Sequence, residues 1–448
     1  MSEQTITIEK LAFGGSGLGH IGGKVCFIPF TAPRDTARIR IKTEKRSYME
    51  GELIELLTPS PLRETPPCPI FGACGGCNWQ HLTYSAQLAA KQEIFADLLW
   101  RSARVEPERI LPIIPAPEPY GYRSRVQFKL RFIAGQLHIG FYRRGSHFVI
   151  DLPERCAIAH PVINRLFADL NSYLPDFPEP DKIPQIDVTI GDDDAAILVF
   201  HYLGNRHDEI TRHLENMPTS ASVGLYLQCG RKETLEKIAG PGHLSYRIPE
   251  NFLSGIPERT LSFAAGGFSQ VNYQQNLFLV ATVFDWAELT GAEKVLDLFC
   301  GNGNFSIPLA QKAATVLGLE EYPPSIIDAQ RNCVLNDVKN ASYRCFDAAA
   351  GVEELIAAGE HFELVIIDPP RTGAAELVRY IPSLHPRKVI YVSCDPATLA
   401  RDIGILKKGG YEVIKSLPVD MFPQTYHIES VTLLEPYDHV EGRDICPP

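Results

Sequence analysis

The residues with most chemical potential lie at the ends of apolar runs. Val389–Thr398 reads VIYVSCDPAT. Its first half is β-branched and aromatic, as in a buried strand, and Pro396 ends it: proline has no N–H for a sheet and pushes the residue before it out of the α region. Cys394 thus stands where a parallel strand opens into a loop, the end at which open α/β sheets bind ligands. A lone cysteine there can be packed core or a nucleophile, and its company must decide. Glu429 heads the apolar run Ser430–Leu434. A desolvated carboxylate there would have a raised pKa, which suits a general base; the plainer alternative is a paired structural glutamate.

A second set of thiols is spaced C-x5-C-x2-C: Cys68, Cys74 and Cys77, with Gly72, Gly75 and Gly76 among them. This spacing lets several thiolates converge on one soft centre. Cys156, in Pro153-Glu-Arg-Cys-Ala, is the best-placed fourth ligand. A four-thiolate site can hold zinc or an iron–sulfur cluster, and spacing alone does not choose between them.

The third group is a glycine turn. Val295-Leu-Asp-Leu-Phe299-Cys-Gly301-Asn-Gly303-Asn304-Phe-Ser306 reads as a buried strand, a tight turn and a helix over 305–312. Glycines let the backbone approach a ligand at the helix start. Ser306 replaces the third glycine of the dinucleotide fingerprint, which disfavours a pyrophosphate ligand. The next strand ends at Glu320, 23 positions after Asp297, where a carboxylate can bond ribose hydroxyls. A ribose without a phosphate to cradle suits S-adenosylmethionine. Another acid, Asp368, ends Glu363–Ile367 and meets Pro369-Pro370-Arg371.

These residues need three positioning units. The expectation is a multidomain α/β protein: residues 1–58 an OB-like β-barrel of five strands, 59–262 an α+β middle domain, and 263–448 a Rossmann-like domain. The barrel's turns include Gly14–Gly19, and its cations at 34–46 outnumber the acids, which fits either RNA backbone contacts or a solvated charged strand. Residues 83–104 read as an amphipathic helix capped by Thr83, with Leu88, Ala89, Gln92, Phe95 and Leu99 at helical spacing and free to pack on the catalytic domain. From Tyr120 to Phe132 cations and aromatics interleave on a strand, with Tyr142-Arg143-Arg144 on its hairpin partner. Such a run can stack bases and neutralise phosphates, although a two-faced strand alternates in the same way.

Composition narrows the class. The chain has 448 residues, 45% hydrophobic and 22% charged, as in ordinary globular proteins. Neither a membrane-length apolar run nor a signal-peptide pattern is visible, so the expectation is a cytoplasmic protein, no membrane partner, and eleven cysteines that are not disulfides. A net charge of −11 speaks weakly against nucleic acid, but it averages over local patches.

In this order, DLFCGNGNFS, IDPPRTG, YVSCDPATLARD and FPQTYHIES resemble the RNA (uracil-5-)-methyltransferase family across nearly the whole chain. Asp395 departs from the asparagine common after the cysteine. The barrel resembles a TRAM domain, and the cysteine run resembles the 4Fe-4S site of the branch acting on 23S ribosomal RNA. The resemblance implies Cys394 as nucleophile and Glu429 as base. It implies that Gln270, Phe299, Asn304, Glu320, Asp347 and Asp368 line the S-adenosylmethionine site, and that Cys68, Cys74, Cys77 and Cys156 hold a 4Fe-4S cluster. The implied activity is methyl transfer to C5 of a uridine in 23S rRNA by a monomeric enzyme. Alternatives are a tRNA uridine, a second rRNA uridine, or a non-catalytic RNA-binding assembly factor. A radical methylthiotransferase is disfavoured by the x5 cysteine spacing, and an amino-methyltransferase by Arg371 and the nucleophilic cysteine.

Overall fold

A computed structural model describes residues 3–231, 234–253 and 255–437. Glu3–Thr58 forms one six-stranded sheet around Ile6, Ile28, Ile39 and Met49. The expected count of five falls short because part of the glycine run taken as a turn is strand Gly17–Ile21. Glycine is needed within that strand: a Cβ on Gly19 would lie 2.4 Å from the Thr7 carbonyl oxygen. The absent side chains let two parts of the barrel wall touch.

Three of the six cations at 34–46 are paired with acids. Arg38 pairs with Glu3 and Glu55, Arg40 with Glu3 at 3.3 Å, and Lys42 with Glu52 at 2.8 Å. Acids from neighbouring strands, distant in sequence, neutralise this stripe. The solvated-strand alternative therefore describes Arg38, Arg40 and Lys42, and leaves the exposed Arg34, Lys45 and Arg46 for RNA contacts. Replacing Arg38, Arg40 and Lys42 together by glutamine is expected to change RNA affinity less than about threefold and to leave its salt dependence nearly unchanged, because paired cations release few counterions. Filter binding across a salt series checks this.

The middle unit is a seven-stranded sheet in the order 235–239, 223–229, 196–202, 185–190, 125–133, 136–142, 149–151, with helices Pro161–Tyr173 and His207–Glu215. Phe128, Phe167, Leu198 and Phe200 fill its core. The interleaved run is thus a two-faced strand, with Phe128 and Leu130 inward. Tyr122 is also buried, its hydroxyl donating to the Pro423 carbonyl at 3.0 Å. Neither Tyr122 nor Phe128 is available to stack on a base.

The C-terminal sheet runs 341–345, 315–320, 294–298, 364–367, 388–393, 429–436, 411–419. The first five strands are parallel and the last two antiparallel to their neighbours. Strand order reverses between Lys294–Leu298 and Leu364–Ile367, which opens a cleft at their carboxyl ends.

Two elements cross the expected boundaries. The hairpin of His243–Ile248 and Arg259–Ala264 shares a core with the C-terminal unit. Asn332 and Asn336 complete it: the amide of Asn332 exchanges hydrogen bonds with Ser262 (2.7 and 3.0 Å), and that of Asn336 with Thr260 (3.0 and 2.8 Å). The boundary expected at 262/263 cuts this strand, and we propose a division between Ala239 and His243 instead. Helix Tyr84–Ala103, capped by Thr83, packs Ile94, Phe95 and Leu99 on Leu399, Ile403 and Leu406 of helix Pro396–Lys408. Its inward face is rotated from the expected one: Ala89 is exposed, whereas Gln87 and Lys91 are buried.

Candidate active site and cysteine cavity

A cavity of about 930 Å³ opens at the strand-order reversal, and Gln270, Phe299, Asn304, Glu320, Asp347, Asp368, Cys394 and Glu429 all line it. Strand Lys294–Leu298 ends in Phe299, held in the left-handed region at φ 63°, and Gly303 follows at φ 90°. A Cβ on Gly303 would lie 2.8 Å from the Ile307 side chain, so the turn requires glycine. The Glu320 carboxylate accepts from the N–H of Gly301 (3.3 Å) and of Tyr322 (2.9 Å), which fixes it at the rim with lone pairs to spare.

Two more of the expected cofactor residues already have partners. Asp347 caps helix Ala348–Ala357 through the Ala350 N–H at 2.9 Å. The Asn304 amide is engaged by Tyr246 (2.9 Å) and Asn276 (3.0 and 2.9 Å). It fixes the cavity wall as much as it offers itself to a ligand.

Sheet register brings the two reactive candidates together. Ser393 pairs with Ser430 across antiparallel strands. Cys394, one step on, and Glu429, one step back, therefore face each other at the same end of the sheet. Asp395 does separate work: its carboxylate caps helix Pro396–Lys408, accepting from Ala397 and Thr398 N–H at 3.0 Å each.

The local field favours neutral groups. Burial pushes the Cys394 thiol up to about 12, with Glu429 and Asp368 adding to the shift and Arg371 opposing it. Burial likewise raises Glu429 well above its ordinary value, Asp368 adding and Arg371 opposing. Asp368 is raised to about 7 by burial, as is Asp297 behind it. Arg371, on the loop after Asp368, lines the cavity and is the cation that favours the anionic forms of both Cys394 and Glu429. Arg371→Met is expected to slow alkylation of Cys394 at pH 8 about tenfold, since a thiol pKa raised by a unit leaves a tenth of the thiolate. Mass spectrometry of timed iodoacetamide reactions measures the rate.

Sequence reading missed Arg371 in this role and Phe422 as a lining residue; Arg123 and Arg125, read from the sequence as cations of the basic strand run, stand beside them. These residues lie on the wall shared with a second cavity of about 810 Å³. Cys68, Cys74, Cys77 and Cys156 all line that second cavity, brought there from a loop after the barrel and a loop before helix Pro161–Tyr173. Burial and the charge of the other thiols raise Cys74 to about 11 and Cys77 to about 12, and burial chiefly raises Cys156. The Gly76 N–H points at Cys74 Sγ, 3.4 Å away. Among the described residues no set of three or more His, Cys, Asp or Glu side chains stands in a metal-binding array, so the thiols share a cavity without closing on one centre.

The same cavity carries the exposed part of the basic strand. Lys129 lies over the Tyr142 ring at 5.2 Å and Arg144 over Phe30 at 4.8 Å, while Arg131 covers Phe148 from outside. The exposed aromatics available to a base are thus Phe132, Tyr142 and Phe148, whereas Tyr122 is buried. Among the described residues no helix is long and apolar enough to cross a membrane.

Comparison with known proteins agrees with this arrangement. Residues 83–437 match the family described as tRNA (Uracil-5-)-methyltransferase, and residues 1–54 match the TRAM domain. Two relatives are named 23S rRNA (uracil(1939)-C(5))-methyltransferase. That of Alkalilimnicola ehrlichii is 32% identical over 96% of this chain and 96% of its own. That of Pseudomonas aeruginosa is 34% identical over 97% and 94%. In fold, the chain is similar to the Pyrococcus abyssi tRNA (uracil-54, C5)-methyltransferase, solved with S-adenosyl-L-homocysteine, with a TM-score of 0.72 and 24% identity over 96% of this chain and 100% of that one.

Proposed function

The chain belongs to the tRNA (uracil-5-)-methyltransferase family and begins with a TRAM domain, and from that premise we propose that it methylates C5 of a uridine in 23S ribosomal RNA, with Cys394 as nucleophile and Glu429 as base. One observation carries the reading: the register that sets Cys394 opposite Glu429 at the mouth of the cleft.

C5 of uracil is a weak nucleophile. The Cys394 thiolate adds to C6, forming a C–S bond and moving the ring electrons into an enolate, and C5 can then accept a methyl cation. S-adenosylmethionine supplies that methyl on a sulfonium. Glu429 takes the proton from C5, the C5–C6 double bond reforms and Cys394 leaves as thiolate. The glycine turn and Glu320 fit the cofactor's nucleoside. Gln270 and Asp368 line the same cavity and would contact the cofactor there. The target uridine has to leave its stack to reach this depth. Arg123, Arg125, Lys129 and Arg144 on the adjoining walls suit the flanking phosphates.

Four half-buried thiols lining one cavity, one accepting an N–H···S bond, are the donor set that a 4Fe-4S cluster would draw onto one centre: Cys68, Cys74, Cys77 and Cys156. Such a cluster would hold two distant loops together, and methyl transfer makes no use of its electrons. Cys77→Ser is expected to lower bound iron from about four atoms per chain toward none and to weaken RNA binding. Iron and sulfide assays check the first part; a single metal atom without sulfide in the parent would indicate zinc.

The relatives named for 23S rRNA favour that substrate, in the cytoplasm, over a tRNA. The test is a denaturing gel after incubation with S-adenosylmethionine and RNA carrying 5-fluorouridine. Fluorine cannot leave C5 as a cation, so the enzyme should be trapped on a 23S rRNA fragment and not on tRNA. Trapping on tRNA alone would transfer the assignment. If neither RNA yields an adduct although both bind, the mechanism is wrong.

A further inference from the structure

We propose that the buried Lys91–Asp420 ion pair is a positioning device for the general base, so that helix Tyr84–Ala103, outside the methyltransferase sheet, sets where Glu429 stands. The proposal rests on Glu429 acting as that base.

Glu429 begins its strand opposite Val419 on the neighbouring one, and residues 420–428 join the two. This connection has no regular secondary structure, and Gln424 sits in the left-handed region at φ 68°. Its carbonyls are held one after another by side chains from elsewhere. Asp420 O accepts from Gln275 (2.9 Å), Met421 O from Asn272 (3.2 Å), Phe422 O from Lys91 (3.0 Å) and Pro423 O from Tyr122 (3.0 Å). The Lys91 ammonium also lies 2.5 Å from Asp420 Oδ1, and both side chains are wholly shielded from solvent. Tyr84, on the same helix, donates to Asp420 Oδ2 at 2.9 Å.

A buried ion pair is a poor source of stability, because desolvation consumes most of the attraction; apolar residues of the same volume often serve stability better. What the pair does supply is a unique geometry. An ammonium shared between the Asp420 carboxylate and the Phe422 carbonyl fixes both the start of the connection and Phe422, which lines the catalytic cavity with Glu429. Proton transfer from C5 demands hydrogen-bond reach, and a misplacement of about 1 Å can cost about 10²-fold.

The test is the double variant Lys91→Met with Asp420→Asn, which removes both charges, keeps an acceptor for Tyr84 and leaves no unpaired ion. Folding is read from thermal melting and from binding of S-adenosylhomocysteine and RNA. With these intact, turnover is expected to fall about tenfold or more. The covalent methylated protein–RNA complex should then accumulate on natural uridine RNA, and deuterium at C5 should slow turnover. Those signatures report slow proton removal, which a merely structural defect would not produce. Turnover within twofold of the parent, or a loss confined to KM for RNA without the adduct, overturns the proposal. If the double variant does not fold, Tyr84→Phe, which loosens Asp420 alone, is read in the same assays against the same criteria. Glu429→Gln run in parallel separates the readings: if it accumulates the adduct and the double variant does not, the base stands and the positioning role falls.

Discussion

Replacing Cys394 with alanine is expected to abolish methyl transfer, with a fall of about 10⁴-fold or more, while leaving cofactor and RNA affinity within about twofold. The substitution removes one sulfur at the end of strand Lys388–Ser393 and disturbs nothing that holds the loop. Asp395 still caps the following helix, and Ser393 still pairs with Ser430. The loss should therefore sit in kcat. Without the sulfur no electron pair reaches the ring through C6, and C5 has to attack as an ordinary uracil carbon. Serine does not rescue, since its hydroxyl is far harder to ionise than a thiol already pushed up to about 12. Transfer of labelled methyl groups to RNA, measured beside equilibrium binding, checks both halves of the expectation. Retention of a tenth of the parent rate would remove Cys394 from the mechanism.

The elements that position this thiol were legible because they follow local rules. An apolar run closed by an acid or a cysteine and then proline reads as a parallel strand ending in a loop, and it did so at Asp368 and Cys394 alike. What stayed hidden was polar and long-range. Gln87 and Lys91 face inward because their partners, Gln424 and Asp420, lie more than 300 residues away. Hydrophobic periodicity assigns such residues to solvent, hence the rotated face of helix Tyr84–Ala103. The pairing of Arg38, Arg40 and Lys42 stayed hidden for the same reason: their counterions are on other strands, and counting charges along one strand cannot find them. The link of hairpin 243–264 to the C-terminal unit stayed hidden because asparagine side chains, Asn332 on helix Pro323–Leu335 and Asn336 at its C-terminal cap, rather than another strand, complete its edge. Strand alternation marked where cations and aromatics would alternate, but which of them faces water depended on the second sheet face, and there Phe128 went to the core.

Glu429→Gln is expected to halt the reaction after methyl transfer rather than before it. Glutamine has nearly the same shape and can accept hydrogen bonds, so the Cys394 adduct and transfer to C5 should proceed. The product of that step carries a methyl and a hydrogen on C5 and sulfur on C6. With no base in reach the hydrogen stays, elimination stalls, and the protein remains joined to methylated RNA through denaturation. Expected are one rapid methyl transfer per enzyme, a steady state lower by about 10²–10⁴-fold, and a covalent band carrying the labelled methyl. A variant that turns over normally, or one that forms no adduct and transfers no methyl, would assign Glu429 another role. Stability gives an independent sign. The carboxyl of Glu429 is held well above its ordinary 4.5 by burial. A raised acid contributes fully below its unfolded pKa, and that contribution is lost as pH rises toward the folded value. Glutamine has no such dependence. The melting temperature of the variant relative to the parent should accordingly climb between pH 5 and pH 8, whereas a glutamate held below its ordinary range by a cation would be ionised in both states there and leave the difference flat. The group that costs the empty site stability at neutral pH is the one able to pull a proton from carbon once substrate covers it.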